Sequence, residues 1–465
     1  MNNTKARSRR VLWLATSAIC TALILALSAV PTLAAQGGQG GSDQSLALFE
    51  QVYRFIQRNY VDEVNPEDLI EGALRGMFSS LDDPHSAYLA PDQMRGLTDT
   101  TSGEFGGVGM YINKPLSRND GTPRYIEVVS PIEGTPAFRA GVEAGDRIKE
   151  VEGESTADLN VDEVVERLRG TPGSEVNITI LRGADLEFPV TLTRAIIEIP
   201  TVRWGMIDDE VGFLRIIQFT PHTRDRVRDA IEDFRSRGYG AMVIDLRSNP
   251  GGLLNAVVAV ADLFFDGGMI VETRGRVPGE NTSFTANPGK TVDDDIAVAV
   301  LINDGSASAA EILAAALKDR DRATLFGSTT YGKGSVQQVR RLGDAGFRLT
   351  MSRYYTPAGT SIDRAGIRPD VEVAEARMSE AEQRAYIELR QENRIQDFVA
   401  ETRDPSSDRI ESFVRDLREE GVEIGDHHLR RLIRVEVNRS LNRDELFDRE
   451  NDIVLRRALE HLRGR

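Results

Sequence analysis

Two short segments carry residues whose types and spacing could do covalent chemistry. The first is Asn303-Asp304-Gly305-Ser306-Ala307-Ser308-Ala309-Ala310-Glu311. It follows an apolar run, Ile296 to Ile302, and leads into an Ala/Leu-rich stretch that ends at Leu317. A buried strand turning tightly into a helix puts serine at the positive end of the helix dipole. Backbone N–H groups there can hold a developing oxyanion. Serine is also a preferred helix cap, and two serines compete for the place, so this segment alone leaves the role open. The second segment, Gly327 to Gln337, contains Lys333. A lysine can take a proton from serine only while its amine is neutral, and burial disfavours the ammonium. Arginine stays protonated and cannot replace it. The basic residues are mostly Arg, with lysine only at Lys5, Lys114, Lys149, Lys290, Lys318 and Lys333, so lysine at 333 fits that requirement. Ser–Lys pairs are one variant of the nucleophile–base arrangement.

Other chemistries fit less well. Gly327 to Lys333 matches G-x-x-x-x-G-K, the start of a phosphate-cradling loop. That loop needs Ser or Thr after the lysine and a helix from there on. This chain has Gly334, then a β-branched and polar run, Ser335 to Val339. A Ser–His triad would have to use His85 or His222, and neither stands beside a strand end of the α/β region. The one cysteine, Cys20, lies in the N-terminal apolar run, so the rest of the chain can form no disulfide and supply no thiolate. His85, His222, His427, His428 and His461 show no metal-ligand spacing, and no metal or cofactor is expected.

The elements that must position these residues predict a multidomain α/β (α+β) chain. At 465 residues, a prior of roughly 150 per domain suggests about three domains. Residues 1–34 read as a signal peptide or membrane anchor: Lys5, Arg7, Arg9 and Arg10 precede the apolar run Val11 to Val30, and Thr32-Leu33-Ala34 suits cleavage. Residues 35–44 read as a Gly/Gln/Ser-rich linker. Residues 45–102 read as helical, with Leu46, Phe49, Val52, Tyr53 and Ile56 on one face and Pro66 opening a second helix. Residues 103–194 form a strand-rich unit with one helix, Val161 to Leu168. Residues 195–375 alternate strands with helices, which argues a mainly parallel sheet with its site at the strands' carboxyl ends. Residues 376–465 read as a charged helical extension with sparse aliphatic positions and no chemistry.

Charge and composition narrow the partners. Lys+Arg 57 against Asp+Glu 73 gives a net charge of −16, so no global field favours nucleic acid. With 40% hydrophobic and 28% charged residues, the chain is an ordinary folded protein. Membrane contact is expected only through the N-terminal segment, with the rest exported to work outside the cytoplasm.

Five linked motifs resemble the carboxyl-terminal processing, or tail-specific, proteases of serine peptidase type. They are Asp83-Pro84-His85-Ser86 with Tyr88-Leu89; Gly106-Gly107-Val108-Gly109; Asp245-Leu246-Arg247 with Asn249-Pro250-Gly251-Gly252; Ser306-Ala307-Ser308; and Tyr331-Gly332-Lys333-Gly334 with Val336-Gln337-Gln338. The resemblance spans residues 45 to about 375. It implies Ser308 as nucleophile, Lys333 as general base and Gln337 as the residue that orients the lysine. The oxyanion hole would be the N–H of Ala309 with that of Gly251 or Gly252, a choice the sequence leaves open. The family often has Ser where Ala310 stands and Phe where Tyr331 stands. The α/β unit is then expected to be a crotonase-like core and residues 103–194 a PDZ domain. The glycines of Gly106, Gly107, Val108, Gly109 and Met110 would let N–H groups converge on a substrate carboxylate. The peptide would add as a strand beside Val108 to Ile112, with its last side chain against Val165 and Leu168. Arg169 aligns with a family arginine that senses bound peptide. The partners implied are protein or peptide substrates with free C-termini. An adaptor protein, and a homo-oligomer through the terminal helices, are candidate partners as well. Two rival functions remain, a catalytically silent PDZ scaffold and a nucleotide-binding protein using Gly327 to Lys333.

Overall fold

The computed structural model describes residues 40–115, 123–132, 134–374, 378–441, 443 and 445–464. The expected export segment lies outside the described residues. Residues 40–44, expected as linker, instead begin a helix with Asp43 in its first turn, where an acid complements the dipole.

Residues up to Asp82 form a unit of their own. It holds α1 (Gly40–Asn59) and α2 (Pro66–Ser79). Asn65 starts α2 by accepting the Glu67 N–H at 3.0 Å, with Pro66 in the first helical position.

The second unit begins with β1 (Ala87–Leu89) and α3 (Pro91–Ser102). The strand-rich region follows: β2 (Glu104–Gly107), β3 (Met110–Asn113), β4 (Ile126–Pro131), α4 (Pro136–Arg139), β5 (Arg147–Val151), β6 (Glu154–Ser155), α5 (Val161–Leu168), β7 (Glu175–Arg182), β8 (Leu186–Thr193) and β9 (Ala195–Glu198). Its antiparallel sheet runs β3-β4-β5-β7-β8, with β6 on β5, while β2 pairs with β9. Alternation sets its faces: Val176, Ile178 and Ile180 of β7 are buried while Glu175 and Asn177 face water. Helix α5 closes over this core with Val164 and Leu168. Asn160 and Glu163 cap α5 reciprocally, at 3.0 and 2.6 Å.

The α/β region comprises β10 (Val202–Met206), β11 (Val211–Ile216), α6 (Thr223–Ser236), β12 (Ala241–Asp245), α7 (Leu254–Ala261), β13 (Met269–Gly275), β14 (Thr282–Thr285), β15 (Ala297–Ile302), α8 (Ala309–Asp319), β16 (Thr324–Gly327), β17 (Ser335–Leu342), β18 (Ala345–Tyr355) and β19 (Val371–Glu372). One sheet runs β10-β11-β12-β15-β16-β19 and is parallel from β11 onward. Every residue of β12 is buried, as expected for a strand covered on both faces. Helices α6, α7 and α8 pack one face through Phe234, Val260 and Leu313. A second, antiparallel sheet of β1, β18, β13 and β14, with β17 on β18, stands beside it.

The C-terminal residues are helical: α9 (Glu380–Gln391), α10 (Arg394–Thr402), α11 (Ser407–Glu419), α12 (Asp426–Ser440) and α13 (Ile453–Arg463). The solvated face expected for them is only half of each helix. Helices α9 to α12 bury a core of their own, with the rings of Phe398 and Phe413 stacked at 4.0 Å. Helix α13 buries Val454, Leu455, Ala458, Leu459 and Leu462 beside Phe213, Val243, Leu301 and Phe326, covering the other face of the parallel sheet. The last helix is therefore part of the α/β core. Leu455 is fully buried, so Leu455→Ala should destabilise the chain by about 2–5 kcal/mol in urea unfolding.

Candidate active site

Three parallel strands end side by side, and each carboxyl end carries one of the motif turns. β12 leads into Leu246 to Gly252, β15 into Asn303 to Ser308, and β16 into Ser328 to Lys333. The two serines of the middle turn have different jobs. Ser306 is buried with its hydroxyl committed to the Leu246 carbonyl at 2.8 Å, tying this turn to the β12 turn. Ser308 precedes α8 with φ 54° and ψ −113°, a conformation that L-residues rarely adopt and that clusters at functional sites. Its hydroxyl does not cap α8 and lies within hydrogen-bonding reach of the Tyr354 phenol. Tyr354 is buried on β18, which pushes its pKa up to about 12, and its backbone N–H donates to the Gly334 carbonyl at 2.7 Å.

Lys333 sits on the neighbouring turn. Burial, with help from the positive charge of Arg348, holds its amine below the ordinary lysine value against the pull of Glu311. The Lys333 amine makes no hydrogen bond to Ser308 or to Gln337 among the described residues. The Gln337 amide donates instead to Ser335 Oγ at 2.7 Å and Thr350 Oγ1 at 3.4 Å. Gly334 leads into β17 rather than a helix, so the phosphate-loop reading lacks the helix it requires.

Sequence reasoning passed over Glu311 as a site residue. Its carboxylate is fully buried and accepts four hydrogen bonds: Ser308 N–H (2.8 Å), Lys333 N–H (2.8 Å), Gly332 N–H (2.7 Å) and Thr330 Oγ1 (2.5 Å). One side chain thus fastens the Ser308 turn to the Lys333 turn. Burial raises its pKa above the ordinary carboxyl value, with the four donors opposing that rise. His85 is the second omission. Set aside above because it stands beside no strand end of the α/β region, it sits close enough to Lys333 and Arg348 for their charges, after burial, to lower its pKa. Asp83 accepts from His85 N–H (3.0 Å) and Ser86 Oγ (2.6 Å), and Ser86 in turn takes Thr350 N–H at 3.0 Å. The Asp83-Pro84-His85-Ser86 motif therefore fastens its loop to β18. His222 is elsewhere, paired with Glu104 at 3.0 Å.

The glycine pair lies against the serine. A Cβ on Gly251 would stand 2.8 Å from Ser308 Cβ and 3.0 Å from Ala309 N. Gly251 N–H is already donated to Asn249 Oδ1 at 2.8 Å. The N–H groups of Gly252 and Ala309 find no acceptor among the described residues. Of the two glycines, Gly252 is the one with a free donor.

A groove of about 220 Å³ lies between β3 and α5, lined by Gly107, Val108, Gly109, Met110, Ile112, Val165, Leu168 and Arg169 among others. Gly109 needs to be glycine: its φ is +78° and a Cβ would fall 2.3 Å from that of Thr135. The carbonyls of Val108 and Gly109 turn inward to Ala137, Ile132 and Thr135, and their N–H groups take no acceptor among the described residues. Gly106 is not part of the groove lining, because it pairs with β9 and its carbonyl takes Gly170 N–H. Arg169 pairs with Asp99 at 2.6 Å and lies over the Phe105 ring.

Comparison with known proteins fits this architecture. Residues 210–373 match the model of peptidase family S41, 127–182 a PDZ domain and 26–93 the activating protease CtpB N-terminal domain. The chain is 40% identical over 369 residues to the carboxy-terminal-processing protease of Bartonella bacilliformis, covering 75% of this chain and 82% of that protein. The chain belongs to the carboxyl-terminal processing protease family. A second family member, the carboxyl-terminal-processing protease of a Synechocystis species, is 35% identical over 402 residues, 81% of this chain and 90% of that one. The solved photosystem II D1 C-terminal processing protease aligns over 70% of this chain and 92% of its own at 29% identity and TM-score 0.41. The processing protease is thus a peptide hydrolase with protein substrates, and it carries a PDZ domain.

Proposed function

We propose that this protease is an exported serine endopeptidase that captures a protein tail by its free carboxylate and cuts it with a Ser308–Lys333 dyad. The observation that carries the reading is the desolvated Lys333 amine on the turn that Glu311 fastens to Ser308. In the reaction the neutral amine moves onto Ser308, displacing the Tyr354 contact, and Gln337 turns to hold it. Such catalytic hydrogen bonds often form only with substrate in place. Lys333 takes the hydroxyl proton and the alkoxide adds to a peptide carbonyl. The N–H groups of Ala309 and Gly252 hold the oxyanion. Lysine then passes its proton to the departing amine, and water, deprotonated in its turn by Lys333, hydrolyses the acyl-enzyme.

The free N–H groups of Val108 and Gly109 are suited to a terminal carboxylate, and β3 offers an edge for strand addition next to Val165 and Leu168. Export rests on the basic-then-apolar N-terminus, with cleavage or retention as an anchor deciding between periplasm and inner membrane; Ser308→Ala cells should retain uncut tails in the envelope fraction. The direct test uses one unstructured peptide in two forms. The free acid should be cut at least about 10-fold faster at sub-saturating concentration than its C-terminal amide, the scale of one charge-assisted contact. Equal rates would remove tail capture from the mechanism.

A further inference from the structure

Arg247 leaves β12 two residues after Asp245 and five before Gly252. Asp245 and Asp452 are carboxylates that its guanidinium meets among the described residues. Nε and Nη2 donate to Asp245 at 2.9 and 2.8 Å, and Nη2 also reaches Asp452 Oδ2 at 2.6 Å. The three side chains are 15%, 1% and 16% exposed. Burial works against the Arg247 charge, and the two acids more than restore it. Asp245 by itself neutralises the guanidinium, so the second acid adds direction rather than charge balance.

Asp452 reaches this turn from the far end of the chain. It is the N-cap of α13, where its other oxygen accepts Leu455 N–H at 2.9 Å. The turn it touches has little slack. Ser248 has φ +57° and donates its N–H to Asn303 Oδ1 at 2.8 Å. Asn249 donates to the Leu246 and Ile216 carbonyls and accepts from Gly251 and Ala307 N–H. A shift of Arg247 is therefore passed to the glycines.

We propose that Asp452 is a positioning residue for the cleavage reaction: through Arg247 it sets the 246–252 turn so that Gly252 N–H faces the oxyanion. The proposal rests on the dyad and oxyanion reading above. Because the oxyanion exists only in the transition state, loss of this tie appears in kcat and leaves KM alone.

The test uses the full chain and a free-tail peptide. Asp452→Asn removes one of two acceptor oxygens, so the side chain cannot both cap α13 and hold Arg247; asparagine remains a good cap. Arg463→Gln is the control, since it cuts a different tie of α13, Arg463 Nη2 to Asp208 Oδ2 at 2.6 Å, without touching Arg247. D452N should lower kcat about 10-fold, part of the 10²–10³ that a lost oxyanion donor costs. KM should stay within about 2-fold, and a peptide boronate, whose Ser308 adduct puts an oxygen in the same hole, should weaken by the same factor as kcat/KM. R463Q should keep kcat within about 2-fold of wild type. If D452N does not fold, Asp452→Ser carries the test by the same criteria, being a cap too short to reach Arg247. A kcat loss no larger than that of R463Q, or a loss carried by KM, overturns the role of Asp452 alone. A wild-type enzyme that neither cleaves the peptide nor binds the boronate overturns the dyad reading and this role with it.

Discussion

Ser308→Ala, Lys333→Ala and Lys333→Arg each leave a folded protein that no longer cuts an unstructured tail. The alanine changes remove the nucleophile or the base, and the losses should approach the ~10⁶-fold typical of a broken serine-protease pair. Lys333→Arg separates charge from basicity. It keeps a cation of similar reach whose pKa is too high to shed a proton. Retained activity in K333R would show that Lys333 contributes a positive charge and not a base, and would end the dyad. The wild-type pH profile gives an independent check. Because burial lowers the Lys333 pKa, kcat/KM should rise with pH through a midpoint below the ordinary lysine value of 10.5. A limb that tracks free lysine would contradict the desolvation.

The same shift makes a stability prediction of fixed sign. The folded state binds this proton more weakly than the unfolded state, so its share of stability is whole above pH 10.5 and is lost as pH falls through the folded value. Lys333→Met carries no such penalty. It should be more stable than wild type at neutral pH, and the gap should close towards pH 10.5 in denaturant titrations. A gap that stays constant with pH would mean that Lys333 titrates as an exposed lysine.

How much of this was readable in the sequence depends on where each feature's partners lie. The strand ends β12 and β15 are legible because Ala241 to Ile244 and Ile296 to Ile302 are short apolar runs followed within a few residues by Asn and Gly. The antiparallel second sheet is not: β17 carries Arg340 and Arg341 on an exposed stretch, and most of β18 is half-buried, so neither strand shows a clean alternation. Helix α13 hides its apolar stripe behind Arg456, Arg457, Glu460 and His461, and only its packing on Phe213 and Leu301 reveals it as core. The choice between Gly251 and Gly252 turned on one hydrogen bond to Asn249, which no spacing encodes. Tyr354 meets Ser308 only because β18 runs back beside Gly334. Glu311 did leave a signal. An acid in a helix's first turn is usually read as a dipole complement. Yet Ala309 to Leu317 is Ala, Leu and Ile on every other position, so this helix has no polar face. A carboxylate inside such a helix must be satisfied by partners brought from elsewhere.

That reasoning leads to the second large effect. Glu311→Gln keeps the volume and replaces one acceptor oxygen with an NH2 group. Each Glu311 oxygen receives two donors, Thr330 and Gly332 on Oε1, Ser308 and Lys333 on Oε2. With its NH2 at the Oε1 position the amide meets Gly332 N–H, where only the Thr330 hydroxyl can turn to accept; at the Oε2 position it meets the N–H groups of both Ser308 and Lys333. Either way a backbone donor of these turns is pushed off. Misplacing reacting groups by about 1 Å costs on the order of 100-fold, so kcat should fall about 100-fold in E311Q. Stability should respond less. Burial disfavours the Glu311 charge, and a neutral side chain escapes that cost while giving up one or two of the four bonds, so the two effects oppose. The pH dependence of the wild type has the same origin. The raised pKa means that protonation begins above the ordinary carboxyl value of 4.5 as pH falls, turning one acceptor into a donor. Activity should therefore fall on the acid side before exposed carboxylates titrate, and E311Q should lack that acid limb. An E311Q enzyme with unchanged kcat, or one that keeps the limb, would show that Ser308 and Lys333 hold their places without this clamp.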